Sequence, residues 1–289
     1  MKMHLCYSKE ERTTRIEYKN VKGVEIPVIK YKIYDRFPEL VTGFSTRLGG
    51  VSTGHLSSMN LSFSRGDDRE NVMENHRRFA EAVGYETSTL VFSDQVHDIC
   101  IRCVDKDDRG KGIIKESDIK ATDGLVTNES NTALMTFYAD CVPLYAYDPV
   151  KKVVALAHSG WKGTVAHIGS ELIRHMEEKY GSKAKDIYCA IGPSICRKCY
   201  EVSEDVAHRF REEFDEAIYD KLVDEKGNGK FMLDLWLACY YNFILAGVEE
   251  SHIAMPDICT CCNSEVLFSH RASHGMRGNL AAVAMLKGD

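Results

Sequence analysis

From Ile99 to Ala157 the chain places short runs of β-branched and aromatic residues one after another, at Ile99–Val104, Gly124–Val126, Ala133–Tyr138, Leu144–Tyr147 and Val153–Ala157, with no helical period between them. A strict βαβ repeat needs a crossover helix between neighbouring strands, so this succession points instead to a mixed sheet. Further strands are predicted at Thr89–Phe92, Ile187–Ile191 and Val266–Phe268. Helices are predicted at Glu70–Val83, Thr164–Tyr180, Ser203–Tyr219 and Asp234–Ala246. In the first, Val72, His76, Phe79, Ala80 and Val83 share a face, with Asp67-Asp68 before it and Gly84 as its stop. In the second the stripe is Val165, Ile168, Leu172, Ile173 and Met176, and the stop is Gly181. The expected architecture is α+β, with layers of mixed β-sheet and flanking helices. No linker, low-complexity run or repeat period marks a boundary, so residues 1–289 read as a single domain.

Charge and cysteine usage narrow the class. Lys+Arg 37 against Asp+Glu 43 leaves a net charge of -6, which provides no basic field for a nucleic-acid backbone. No run reaches the ~18 apolar residues of a membrane span, and Met1–Glu10 lacks the apolar core of a secretory signal. The expectation is a cytoplasmic protein with neither nucleic acid nor membrane as partner. The eleven cysteines are an odd number in a chain with no secretory signal, so they read as thiols. Cys6, Cys100, Cys103, Cys189 and Cys239 stand singly among apolar neighbours and are expected to be small buried hydrophobes.

The chemistry concentrates around two segments, Ala139-Asp140-Cys141-Val142-Pro143 and His158-Ser159-Gly160-Trp161-Lys162-Gly163. In the second, a strand ends, turns through glycines and opens a helix, a geometry that offers backbone N–H groups to an anion. Lys162 adds a positive charge there, although a glycine turn can equally do no more than reverse the chain. A thiolate at Cys141 needs a cation nearby, and His158 and His97 both fall at predicted strand ends. One thiolate and two imidazoles form a soft three-ligand set that suits zinc with an open fourth position. Residues this far apart in sequence are equally compatible with ordinary core and surface roles.

Further motifs are Gly43-Phe44-Ser45-Thr46-Arg47-Leu48-Gly49-Gly50-Val51-Ser52, Asn60-Leu61-Ser62, Gln95-Val96-His97, Thr122-Asp123-Gly124-Leu125-Val126-Thr127, Gly192-Pro193-Ser194-Ile195 and Phe268-Ser269-His270-Arg271. Together with the two segments above they closely resemble the YfiH family, also called laccase-domain or multicopper polyphenol oxidase proteins and described as purine nucleoside phosphorylases with adenosine deaminase activity. The resemblance runs from about residue 40 to the C-terminus and leaves residues 1–25 outside it as an N-terminal extension. It implies a single-domain CNF/YfiH-like fold and a zinc site on His97, Cys141 and His158, which would also be the catalytic residues. It further implies phosphorolysis of adenosine, inosine, guanosine and methylthioadenosine to base and ribose 1-phosphate, together with deamination of adenosine. Ser159 and Lys162 stand where Ala and Arg are frequent in the family, and Lys cannot make the bidentate fork of Arg to phosphate. Arg47, Lys162 and Arg271 are the expected anion contacts. Asp123 is counted with the substrate-site residues, as an acceptor that could orient a ligand histidine.

Four other readings compete. A laccase needs many histidines, commonly as His-x-His, and none of the eleven here has that spacing; a single copper on the His/Cys set is chemically possible, but zinc fits better. His175-Met176-Glu177 with Cys196 and Cys199 imitates the zinc deaminase signature but fails in detail, since Pro193 is not adjacent to Cys196 and Met176 belongs to a helix stripe. The same cysteines, with Cys259, Cys261 and Cys262, could instead form a structural zinc knot. Finally, Cys141 with His158 or His97 as base describes a thiol hydrolase, a chemistry that suits the peptidoglycan-precursor editing to which relatives have been linked. Chain composition leaves the oligomeric state open.

Overall fold

A computed structural model describes residue 3 and residues 5–288. In chain order the strands are β1 Thr14–Val21, β2 Val24–Tyr31, β3 Leu40–Ser45, β4 Leu90–Phe92, β5 Ile101–Cys103, β6 Gly124–Thr127, β7 Ala133–Tyr138, β8 Val142–Asp148, β9 Val153–Ser159, β10 Tyr188–Ile191, β11 Glu201–Ser203, β12 Val223–Gly227, β13 Lys230–Leu233, β14 Ile253–Ala254 and β15 Leu280–Leu286. The α-helices are α1 Arg69–Val83, α2 Trp161–Val165, α3 Ile168–Tyr180, α4 Glu204–Glu213, α5 Glu216–Leu222 and α6 Leu235–Leu245. One six-stranded sheet runs β1-β2-β3-β15-β7-β4, a second runs β14-β10-β8-β9-β6-β5, and a small third sheet runs β11-β13-β12. Most pairs are antiparallel, with parallel pairs at β4/β7, β5/β6 and β10/β14, so the fold is mixed α+β as expected.

The period of two along each strand shows how the layers stack. Val154 and Leu156 of β9 meet Tyr145 and Tyr147 of β8 and, from the other sheet, Ala282 and Ala284 of β15 in a core between the two sheets. The alternate residues Val153, Ala155 and Ala157 pack on the outer side against Leu172 and Met176 of α3 and Phe243 of α6. Likewise Ala281 and Val283 face outward onto Phe79 and Ala80 of α1. The layers therefore run helix, sheet, sheet, helix, and each fully buried aliphatic side chain contributes roughly 1.5–3 kcal/mol. Two tyrosines tie the sheets across their interior: Tyr145 donates to the Gly43 carbonyl at 3.0 Å, and Tyr138 donates to the Ala157 carbonyl at 2.9 Å. A buried phenol left without a partner would be costly, so these bonds also fix the sheets' relative position.

Several expectations need correction. Val266–Phe268 forms no strand; its N–H groups at Val266 and Leu267 turn back to the Asn263 carbonyl, and Leu267 and Phe268 are apolar because they plug the inter-sheet core. The helix expected over Thr164–Tyr180 begins earlier, at Trp161, and is broken at His167, whose φ of 59° is left-handed. His167 is held there by Asn242 and Glu213, each at 3.1 Å. The helix expected over Ser203–Tyr219 divides at Phe214, which is extended, before Asp215 starts α5. Cys189 and Cys239 are buried as expected, but Cys6 and Cys100 are exposed and Cys103 is half-buried, because Cys6 lies in the segment before β1 and Cys100 and Cys103 flank or end the short strand β5. Among the described residues no helix is long and apolar enough to cross a membrane.

Candidate active site

The chain changes sheets between β7 and β8, and Ala139-Asp140-Cys141 makes the corner. The corner demands an unusual backbone: Asp140 has a φ of 88°, tolerated because its short polar side chain is fully engaged. Its Oδ1 accepts from the Thr260 hydroxyl at 2.6 Å, and its Oδ2 accepts from the Arg271 N–H at 2.7 Å and the Ser269 hydroxyl at 3.0 Å. Cys141 is thereby held at the end of the sheets, beside the last residues of β9, where Pro143 pairs with His158 in register.

His158, His97 and Cys141 converge, with their ligand atoms all within 4.8 Å of one another. The Cys141 Sγ lies 4.0 Å from the His97 Nε2, and the two imidazoles meet edge to face at 4.8 Å between centroids. Asp123, fully buried immediately before β6, organises this cluster. It accepts the His158 Nδ1 at 2.8 Å and the backbone N–H groups of Val96, His97 and Asp98 at 3.0, 3.1 and 3.0 Å. The carboxylate thus fixes the His158 tautomer that leaves Nε2 free, and it holds the loop carrying His97, whose φ is 67°. Burial pushes the Cys141 thiol up, but His158 and then His97 more than reverse this, bringing it to about 6. Burial likewise pushes His158 down, and the Cys141 thiolate and Asp123 bring it up to about 9. The Cys141 thiolate and the His158 imidazolium thus stabilise one another.

The cluster forms the end of a cleft of about 320 Å³. Its walls include Phe63, Phe92 and Phe137, together with the guanidinium groups of Arg65 and Arg277. Burial and then the charge of Arg65 push Arg277 down to about 10, so two cations share one space and favour an anion between them. The Arg277 Nε is buried without a protein partner. Sequence reasoning missed both arginines. Arg65 lies in the loop before α1 and Arg277 in a glycine-flanked loop before β15, and neither position carries a local pattern that announces a ligand.

The anion contacts expected from sequence lie elsewhere. Arg47 donates its Nε and Nη1 to the Ser57 and Ser264 carbonyls at 2.8 and 3.0 Å, so it staples two loops. Arg271 is likewise a staple, donating its Nη1 and Nη2 to the Cys199 and Glu201 carbonyls at 3.1 and 2.8 Å. Lys162 is exposed and lies over the Trp161 ring. None of these three lines the cleft, and Asp123 acts on His158 and the His97 loop, with no face toward a substrate. The glycine turn also has another cause. A Cβ on Gly160 would come within 2.8 Å of the His97 ring and 3.5 Å of the Cys141 sulfur, so glycine is there to let these two side chains approach.

Residues 41–287 match the family described as multi-copper polyphenol oxidoreductase laccase. The chain belongs to this laccase-domain, YfiH-type family. The purine nucleoside phosphorylase YlmD of Bacillus subtilis is 36% identical over 250 residues, covering 86% of this chain and 89% of that protein. The crystal structure of Bacillus licheniformis hypothetical protein YfiH superposes with a TM-score of 0.86 at 30% identity, over 93% of this chain and 99% of that one. That of YlmD from Geobacillus stearothermophilus gives 0.83 at 31% identity, over 95% and 100%.

Proposed function

We propose that the chain is a zinc-dependent purine nucleoside phosphorylase that also deaminates adenosine. The reading is carried by the cleft itself, which is lined together by a Cys/His₂ cluster, two arginines and three phenylalanines. The donor set fits zinc: two imidazoles and a thiol already drawn toward its anion, all in ligand range and with one direction left open to the cleft. His97, Cys141 and His158 would hold the ion, which when bound supplies Lewis acidity and an activated water for deamination at C6. Among the described residues the other soft-ligand cluster is made of cysteines alone, so nothing resembles the histidine-rich sites that multicopper oxygen reduction requires.

In phosphorolysis a phosphate oxygen forms a bond to the ribose C1′ as the C1′–N9 bond breaks. The electron pair leaves with the purine, which takes up a proton. Arg65 and Arg277 hold the phosphate, and their fixed charge stabilises the transition state without reorganisation. Phe63, Phe92 and Phe137 enclose the purine ring and exclude water. The name of the Bacillus subtilis relative supports the phosphorylase half of this reading. The substrates would be adenosine, inosine, guanosine and methylthioadenosine.

The test is chromatography of products from adenosine with and without phosphate, alongside bound-metal analysis. Adenine that requires phosphate and inosine that does not are the expected products. A chain that turns over no purine nucleoside overturns the proposal. One feature favours a second reading: Asp123, His158 and Cys141 follow one another as acid, base and nucleophile do in a thiol hydrolase, the chemistry of peptidoglycan-precursor editing. That enzyme would be metal-free, insensitive to chelators and killed by alkylation of Cys141.

A further inference from the structure

We propose that the chain carries a second, structural metal site, a mononuclear zinc held by Cys196, Cys199, Cys259 and Cys262. The ligands come from two Cys-x-x-Cys turns that are 63 residues apart in sequence between corresponding sulfurs. All four sulfurs lie within 4.8 Å of one another, and those of Cys199 and Cys262 are 3.4 Å apart. A tetrahedron with Zn–S bonds of about 2.3 Å has sulfur–sulfur edges of roughly 3.8 Å, so the cluster is already close to the size one ion needs. A polynuclear iron–sulfur core would spread the same sulfurs further apart. Cys261, the fifth cysteine of these loops, stands outside the cluster, which selects the two Cys-x-x-Cys pairs from the five.

The backbone supports the same assignment. The N–H groups of Cys196 and Cys262 both donate to the Cys259 sulfur, at 3.3 and 3.4 Å. Such bonds stabilise a thiolate and fix its direction, as the surroundings of a metal ligand do. The turns are sewn together by the Thr260 N–H to the Ser194 carbonyl at 3.1 Å, so their separation does not depend on the sulfurs alone. Lys198, inside the first turn, lines the same surface pocket as Cys196, Cys259 and Cys262 and would offset part of the negative charge of a zinc tetrathiolate. Four protein ligands leave no open position, so the ion would be structural. Both turns also end on the Asp140 corner: Ile195 donates to the Asp140 carbonyl at 3.0 Å, and Thr260 to its carboxylate at 2.6 Å.

Metal analysis of the full chain tests the assignment. The double variant Cys199→Ser/Cys262→Ser should carry one zinc equivalent fewer than the wild type, and Cys141→Ser should retain that equivalent. Equal zinc content in the wild type and the double variant overturns the proposal. Should the double variant fail to fold, cobalt loaded into the Cys141→Ser chain decides: the intense absorption of a tetrathiolate centre supports the site, and its absence refutes it. Intact mass under denaturing alkylation gives an independent check, because a Cys199–Cys262 disulfide in freshly purified chain would also overturn it.

Discussion

The His97/Cys141/His158 cluster and the four-cysteine cluster are built from the same soft atoms and meet at the same residue, Asp140, yet they are closed to different degrees. The first stands at the ends of sheet strands, takes one ligand from a strand, one from a sheet-changing corner and one from a loop, and opens onto a cleft. The second lies between two loop turns, and its four sulfurs all lie within 4.8 Å of one another. The contrast teaches that geometry more than residue type separates a reactive site from a staple. Three donors gathered at the end of the sheets leave a direction for substrate, while four donors on two loop turns would use up every direction to hold the loops together.

The largest effect should come from emptying the open site. Cys141→Ser or His158→Ala lowers turnover of adenosine by about 10³-fold, within the range for groups acting at a reacting centre, while the urea midpoint of Cys141→Ser moves little. Wild-type turnover in either variant would remove the distinction between the clusters. Arg277→Ala, assayed for phosphorolysis and deamination separately, should cost phosphorolysis about 10²-fold and spare deamination. Equal losses in both reactions would show that this arginine does not belong to a phosphate subsite.

His76 sharpens the contrast from another side, as a fully buried histidine with no thiolate partner. Burial holds it down to about 4, with its Nε2 on the Leu61 carbonyl at 2.8 Å. Because the unfolded chain takes up this proton first, the stability it underwrites is full above pH ~6.5. It is lost as pH falls to about 4, a difference of roughly 3 kcal/mol. Urea midpoints across that range should slope less in His76→Gln than in the wild type; identical slopes would contradict the assignment. Asp123→Asn should lower zinc affinity by 10–100-fold, read by competition with a chelator, because it loses the charge that orients His158 and three N–H groups. The smallest effect is expected at the closed site. Cys199→Ser/Cys262→Ser should lower Tm by about 5 °C, equivalent to ~3 kcal/mol, with turnover reduced only modestly. A loss of turnover without loss of stability would reverse the roles given to the two clusters.

How much of this was legible in the chain varies by element. Helix α1 matched its periodicity because Asp68, an apolar stripe and Gly84 are all local signals. Strand β1 could have been found from the alternation of Ile16 and Tyr18 with charged residues, and the hairpin from Lys22-Gly23, where φ is positive at both positions. Strand β15, Leu280–Leu286, was harder. It is buried on both faces in mid-sheet and rich in alanine, so neither alternation nor β-propensity marks it.

The sequence by itself determined the mixed α+β class, most strand and helix positions from residue 69 onward, and the candidacy of His97, Cys141 and His158. These follow from short-range periodicity and from donor chemistry, which are properties of neighbouring residues. Only the tertiary structure decided which distant groups meet. It turned Arg47 and Arg271 into loop staples, brought Arg65 and Arg277 into the cleft in their place, and sorted four of five loop cysteines into one cluster. A side chain's charge is written locally, but its partner is set by where two sheets bring loops separated by tens or hundreds of residues, and no local pattern encodes that distance.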